Sequence, residues 1–337
     1  MAKVNVIKMF PVVAFCAALL AGCATTARTA DIISYDSSSL SNVTRVTDNH
    51  FRKDSVRVSP DGSKILYCEA NVTNVDASVS FDQFSVMLLR DASLSSKTPV
   101  VTDPSFGPVW YDDNAGFIYV VYEGGSSKLV KSNITGGGKT YVTRNSIGDN
   151  DSRPSIKGRD ILCETGINGV RHLVRLKDDG SEVTILGEGN SPSWHPTENK
   201  FVFIKDGSVC EMNLENNQMT QIYSAATDKN RNIIESCSQP SYSRDGKYIL
   251  FAKGANTFIT ATTKTSNLLQ TMFTKSRVET QRQHLFLMNE NGTGLTQLTS
   301  GNVDVFSPSW GVGNEIFFIA NVQNATEIWK AQLSMIN

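Results

Sequence analysis

The residues that could do chemistry are few and scattered. Histidine occurs four times, as His50, His172, His195 and His284, and no pair has ligand spacing for a metal. Hydrolysis by a serine on a strand-to-helix elbow needs Gly-x-Ser-x-Gly, which is absent. Asp112, Asp113, Asp149 and Asp151 could be paired as the two carboxylates of a glycosidase. They fall among turn and loop residues, where acids are usually solvated. Cys68, Cys163, Cys210 and Cys237 lack the CxxC spacing of zinc or redox sites, so buried free thiols on strands are expected rather than a disulfide. Neither a metal, a cofactor nor a catalytic residue is expected.

Cys23 has a different setting. Lys3 and Lys8 precede an apolar run from Met9 to Leu20, which is too short to span a bilayer. It has the form of a signal-peptide core with a small-residue cleavage site after it. The sequence Leu20-Ala21-Gly22-Cys23 resembles the lipobox of bacterial lipoproteins. That resemblance implies cleavage before Cys23 and a diacylglycerol on its thiol. At about 0.8 kcal/mol per buried methylene, two or three acyl chains hold a domain on a membrane. Ala24 in place of Asp resembles the enteric signal for the outer membrane, with the protein facing the periplasm. Loss of residues 1–22 removes two lysines and no acid, moving the formal charge from −1 to −3. Such a surface has no electrostatic footprint for nucleic acid.

The elements that position these residues come from a repeated phrase: a small or polar residue, proline, any residue, a large apolar residue, then a turn and a strand. It stands as Ser191-Pro192-Ser193-Trp194, Gln239-Pro240-Ser241-Tyr242 and Ser307-Pro308-Ser309-Trp310. Looser copies are Gly107-Pro108-Val109-Trp110, Arg153-Pro154-Ser155-Ile156 and Ser55-Val56-Arg57-Val58. Each copy predicts four strands: the phrase itself (A), an apolar run such as Tyr248-Ile249-Leu250-Phe251 (B), a third such as His284-Leu285-Phe286-Leu287 (C), and a short fourth (D). Asp61-Gly62, Asp245-Gly246 and Asn291-Gly292 supply hairpin turns. Ser59-Pro60-Asp61-Gly62, and the run Leu285 to Thr299 in the fifth copy, resemble the propeller repeat of TolB. That resemblance covers roughly residues 42–333 and implies an all-β, six-bladed propeller of four-stranded antiparallel blades. The repeat also occurs in prolyl-oligopeptidase propellers and oligogalacturonate-lyase-like proteins, so it implies a fold more firmly than an activity.

The last copy lacks a strand D, whereas Asn42 to Thr47 reads as a strand D with no A, B or C before it. The N-terminal strand is therefore expected to complete the last blade and close the ring, leaving no open sheet edge. The expected organisation is a signal peptide over 1–22, a lipidated tether over 23–40 and the propeller over 41–337. The repeated aromatics Trp110, Trp194, Tyr242 and Trp310, with Ile156 and Val58 in the same place, are expected to pack between blades.

Two insertions stand out, the B–C loops at about 71–82 and 254–282, which long-loop statistics mark as functional or disordered. Blades one and five both neighbour blade six, so the insertions should rise from adjoining sectors of one face. Phe258, Ile259, Leu268, Leu269, Met272 and Phe273 are the candidate partner-binding residues. Arg153, Gln239, His195 and Asp304 are candidates for the channel mouth. The expected function is a non-enzymatic, membrane-anchored scaffold that binds an envelope protein or peptide. The alternative is an oligogalacturonate-lyase-like envelope enzyme acting on a glycan at the channel mouth. The resemblance lacks the N-terminal α/β domain of TolB-like proteins, so contacts made through that domain do not transfer.

Overall fold

Each copy of the phrase opens a four-stranded antiparallel sheet, and six sheets form the propeller. The computed structural model describes residues 4–6, 33–72, 83–90, 96–144, 147–227, 234–262, 274–322 and 325–334, with backbone alone for 4–6 and 256–281. In blade one the strands A to D are Arg52–Val58, Ile65–Ala70, Phe84–Leu89 and Thr98–Val101. Blade two comprises Ser105–Trp110, Gly116–Glu123, Ser126–Asn133 and Thr140–Tyr141. Blade three has Asp149–Lys157, Asp160–Ile167, Val170–Lys177 and Thr184–Glu188. Blade four has Asn190–Trp194, Lys200–Lys205, Ser208–Asn213 and Gln218–Tyr223. Blade five has Glu235–Tyr242, Tyr248–Thr262, Thr274–Asn289 and Thr296–Gln297. Blade six takes Asp304–Trp310, Glu315–Val322 and Ala325–Leu333 from the C-terminal end and Leu40–Arg45 from the N-terminal end.

The proline phrase has a backbone reason. Ser55, Gly107, Arg153, Ser191, Gln239 and Ser307, which precede the proline position in each blade, all have φ between 49° and 58°. At that point every strand A slips its register against strand B, as between Ser238 and Ser241 in blade five. The phrase is thus a β-bulge on the innermost edge strand. Proline is tolerated there because an edge strand at a bulge does not need its N–H for the ladder.

Strand B has sheet neighbours on both sides and blades against both faces, so it is apolar without alternation. Residues 65–70, 117–121, 201–204 and 316–320 are buried throughout. Trp110, Trp194, Tyr242, Trp310, Ile156 and Val58 are all buried, as inter-blade packing requires. The Trp110 and Trp310 indole N–H groups donate to Arg57 O and Ser241 O of the preceding blades, at 3.0 and 3.2 Å. Losing one such ring to alanine costs about 3–5 kcal/mol. All four described cysteines are buried and free, and burial pushes the Cys68 and Cys163 thiols well above their ordinary range.

Closure of the ring follows the sequence expectation. Leu40–Arg45 pairs antiparallel with Ala325–Leu333, in register Leu40↔Leu333 and Arg45↔Trp329. Beyond this strand the seam holds a buried ion pair, Lys53 Nζ to Glu327 Oε2 at 3.0 Å, joining strand A of blade one to strand C of blade six. Thr47 Oγ1 and the His50 N–H donate to the same carboxylate at 2.5 and 2.8 Å. Lys53 Nζ also donates to Asn49 Oδ1 and Phe51 O. Every polar atom of this pair is met by a partner, which is the condition under which a buried charge is tolerated.

Two sequence expectations need revision. Part of the segment read as a tether is structured: Ile33–Asp36 pairs with Thr299–Gly301, and Ile33 is buried beside Leu298 and Val303. Val4–Val6, within the expected signal peptide, pairs with the other edge of Ile33–Asp36, so cleavage would uncover that edge. The insertion at 254–282 is not a loop at its base. Strands B and C of blade five run for 15 and 16 residues and stay paired from Asn256↔Thr280 to Thr262↔Thr274. The threonine-rich sequence suits a strand, but its lack of an apolar face hid the ladder from a pattern reading. Residues 263–273 and 73–82 lie outside the described residues.

Candidate functional site

The six bulges face the axis of the ring and, with the turns that follow, bound a cavity of about 270 Å³. Every blade contributes, from the bulge residues Ser55, Gly107, Arg153, Ser191 and Gln239 down to Pro60 and Arg244 in the A–B turns. The cavity therefore occupies the half of the channel nearer the A–B turns. Its polar character comes from serines, one glutamine and three guanidinium groups.

Arg57 donates from Nη1 to Val56 O at 2.8 Å. Burial lowers its pKa, Asp54 offsets part of that effect, and the charge of Arg153 adds to it. Arginine nonetheless stays charged. Arg153 reaches Glu164 at 3.6 Å, and Glu164 itself accepts the Ser191 N–H at 2.7 Å. Arg244 spans three blades, donating to Gly311 O of blade six and to Ser59 O and Pro60 O of blade one. It stands where Pro60 stands in blade one, and that Ser-Arg-Asp-Gly variation of Ser-Pro-Asp-Gly was the signal available for it. Each of its three nitrogens donates to a carbonyl, so it fastens the A–B turns together.

Of the four residues expected at the channel mouth, two meet there. Arg153 and Gln239 line the cavity. Gln239 Oε1 accepts the Ser307 N–H at 2.7 Å, fastening the bulge of blade six. Asp304 is not in the lining and accepts the Gln283 N–H at 2.7 Å. His195 is also outside it, buried against Tyr242 with ring centroids 4.7 Å apart. The reason is the period of strand A: Trp194 fills the inter-blade position, and His195 follows into the turn.

His195, Glu198 and Glu290 form a group with metal-ligand atoms within 4.8 Å of one another. Lys200 already supplies a cation there, with Nζ 3.1 Å from Glu198, 3.2 Å from Glu290 and 3.4 Å from Glu211. His195 Nδ1 accepts the Glu198 N–H at 2.9 Å, and burial lowers the pKa of the ring. The cluster fits an ion-pair network better than a metal centre. Three of the four candidate carboxylates accept hydrogen bonds within the fold. Asp112 and Asp113 accept backbone N–H groups of Gly158 and Ala115, both at 2.9 Å. Asp151 is buried and accepts Thr165 Oγ1 at 2.7 Å.

Cys23, Leu268, Leu269, Met272 and Phe273 lie outside the described residues, and Phe258 and Ile259 fall where only backbone is described. No helix among the described residues is long and apolar enough to cross a membrane.

No protein-family model and no curated protein matches the sequence. Solved structures do share the fold. A putative TolB from Agrobacterium tumefaciens matches 87% of this chain and 97% of its own at 14% identity, with a TM-score of 0.58. TolB from Acinetobacter baumannii matches 82% of this chain at 14% identity and a TM-score of 0.52, and this chain spans 65% of its length. A gluconolactonase from Xanthomonas campestris matches 86% of this chain and 89% of its own at 10% identity, with a TM-score of 0.53. The chain thus has the six-bladed fold of TolB propellers, a fold shared by binding proteins and enzymes alike.

Proposed function

We propose that this chain is a non-catalytic binding protein of the bacterial envelope, lipid-anchored at Cys23 in the outer membrane, whose propeller docks a protein or peptide. The observation that carries the reading is the arm of blade five. Beyond the bulge at Ala255 its two strands pair only with each other among the described residues, over seven residue pairs. The edge Asn256-Thr-Phe-Ile-Thr-Ala-Thr262 has neither charge nor proline to blunt it. An edge of that kind is a template for an added strand. The cavity supports the same reading, since its lining residues include no carboxylate, imidazole or thiol for acid–base or nucleophilic work. The glycan-acting alternative would need such groups at the channel.

The test replaces 256–280 with a short Gly-Ser turn. The arm lies beyond the register of strand A, so the propeller should melt within a few degrees of wild type. Capture of envelope proteins by the purified lipoprotein should fall at least tenfold, about 1.4 kcal/mol. Undiminished capture would move the docking site to the channel or another face.

A further inference from the structure

The channel wall repeats from blade to blade, so its departures from its own pattern stand out. Directly after the proline position stand Ser155, Ser193, Ser241 and Ser309 in blades three to six, and Arg57 takes that place in blade one. Directly before it stand Ser55, Ser191 and Ser307 in blades one, four and six, and Arg153 takes that place in blade three. Serine suffices for the wall and for the bulge, so neither position calls for arginine on structural grounds. Yet both arginines line the same cavity. Pro154, Pro192, Pro240 and Pro308 line it too. Proline has no N–H, so polar contact with an occupant falls to side chains.

The charges of the wall do not cancel. Every residue of the lining is described, and none is acidic. Two acids outside the lining act on it. Asp54 bears on Arg57 electrostatically, but Arg57 makes no ion pair among the described residues and spends one donor on Val56 O. Glu164 lies 3.6 Å from Arg153 and 4.0 Å from Arg171, and it also accepts the Ser191 N–H and the Ser152 hydroxyl at 2.7 and 3.1 Å. Two carboxylates thus face three guanidinium groups. Arg244, with Asp61 as its acid, is spent on the A–B turns. A cleft with an excess of one charge between low-dielectric walls concentrates the opposite ion. Burial strips water from Arg57, and an entering anionic oxygen would replace it.

We propose that the channel cavity binds a small monocarboxylate, with the Arg57 and Arg153 guanidinium groups on its oxygens. Guanidinium and carboxylate match as two parallel N–H···O bonds. One surplus positive charge suits a monoanion over a doubly charged phosphate. The volume of about 270 Å³ falls just below the range of drug-sized sites, so the occupant is small. Val109, Trp110 and Trp310 in the lining would flank its carbon portion. The arm of blade five extends from the B–C end and the cavity lies toward the A–B turns, so failure here and failure of the docking reading are distinguishable.

Calorimetric titration of the full chain in neutral detergent micelles tests it, using lactate, N-acetyl-alanine and inorganic phosphate as probes. Saturable binding of a carboxylate at one site per chain is expected, and the stronger of the first two probes identifies a free hydroxy acid or a peptide terminus as the source. Arg57→Ser and Arg153→Ser should each weaken that binding at least tenfold. Both variants install the residue that other blades carry at the same place, so each should melt within a few degrees of wild type. Arg45→Gln, which removes the same charge from the outer strand of blade six, should leave binding unchanged. Absence of saturable carboxylate binding, phosphate binding as tightly, an equal loss in Arg45→Gln, or normal binding by either serine variant would overturn the proposal.

Discussion

At the scale of single residues, the chain uses its ionisable groups mainly as fasteners. Lys53 and Glu327 come from opposite ends of the sequence and meet only when the ring closes. No pattern in the sequence could pair them, because the contact depends on which blade ends up beside which. Glu327→Gln should therefore destabilise the fold by about 3–5 kcal/mol, since it leaves the Lys53 ammonium buried without its counter-charge. A double variant, Lys53→Met with Glu327→Leu, should recover most of that loss in a denaturant melt. Failure to recover would mean that the pair contributes more than the avoidance of an unmet charge. Histidine gives a pH dependence with a definite sign. Burial lowers the pKa of His195 and of His284 below the ordinary value of about 6.5. The unfolded chain then binds protons that the folded chain refuses, so stability is complete above that pH and falls as the pH drops through the folded values. Melting temperature should decline between pH 7 and pH 5, and a His195→Gln, His284→Gln double variant should show a flatter profile. An unchanged profile would place the acid sensitivity elsewhere.

Among elements, the repeat was legible because each blade must solve the same two problems. Strand A needs a bulge at the channel, which leaves its mark as the residue before proline. Strand B is buried on both faces and leaves an unbroken apolar run. The closing strand was legible by subtraction, as a D without a blade and a blade without a D. What escaped the sequence was pairing without periodicity. Ile33–Asp36 is four residues long and belongs to no blade. The arm of blade five is rich in threonine and serine, and its strands are recognised only through their mutual register. These differences set the outcome of truncation. Removing 23–32 should leave the melt unchanged. Removing 23–46 deletes the closing strand with the buried Leu40, exposes the edge of Ala325–Leu333, and should unfold the domain or lower its melting temperature by more than 10 °C. A truncation ending at residue 38 should be intermediate, because it also removes the buried Ile33. Equal melts for all three would contradict closure by the N-terminal strand.

For the molecule as a whole, closure ties the last blade to the N-terminal part of the chain. The strand that completes blade six begins 17 residues after Cys23, so the lipid proposed for that cysteine would hold the seam near the membrane. The arm belongs to blade five, next to that seam. A lipid-held propeller would thus offer the arm edge from a restricted set of orientations, which favours a partner on the same membrane. The sequence pointed to the right blade for this feature and to the wrong kind of structure. Of the four residues read near the channel, Arg153 and Gln239 line the cavity while His195 and Asp304 do not, because contacts around a ring depend on register that a linear pattern does not carry. The measurement that bears most directly on the docking claim is site-specific photo-crosslinking in intact cells. A crosslinking residue is placed at 258 or 260 in the arm, at 239 in the channel, or at 219 on the exposed fourth strand of blade four. Each is tested with Cys23 and with Cys23→Ser. The account predicts a discrete protein adduct from the arm positions alone, lost when Cys23→Ser releases the chain from the membrane. Adducts from 239 or 219 with none from 258 or 260, or an arm adduct indifferent to Cys23, would contradict it.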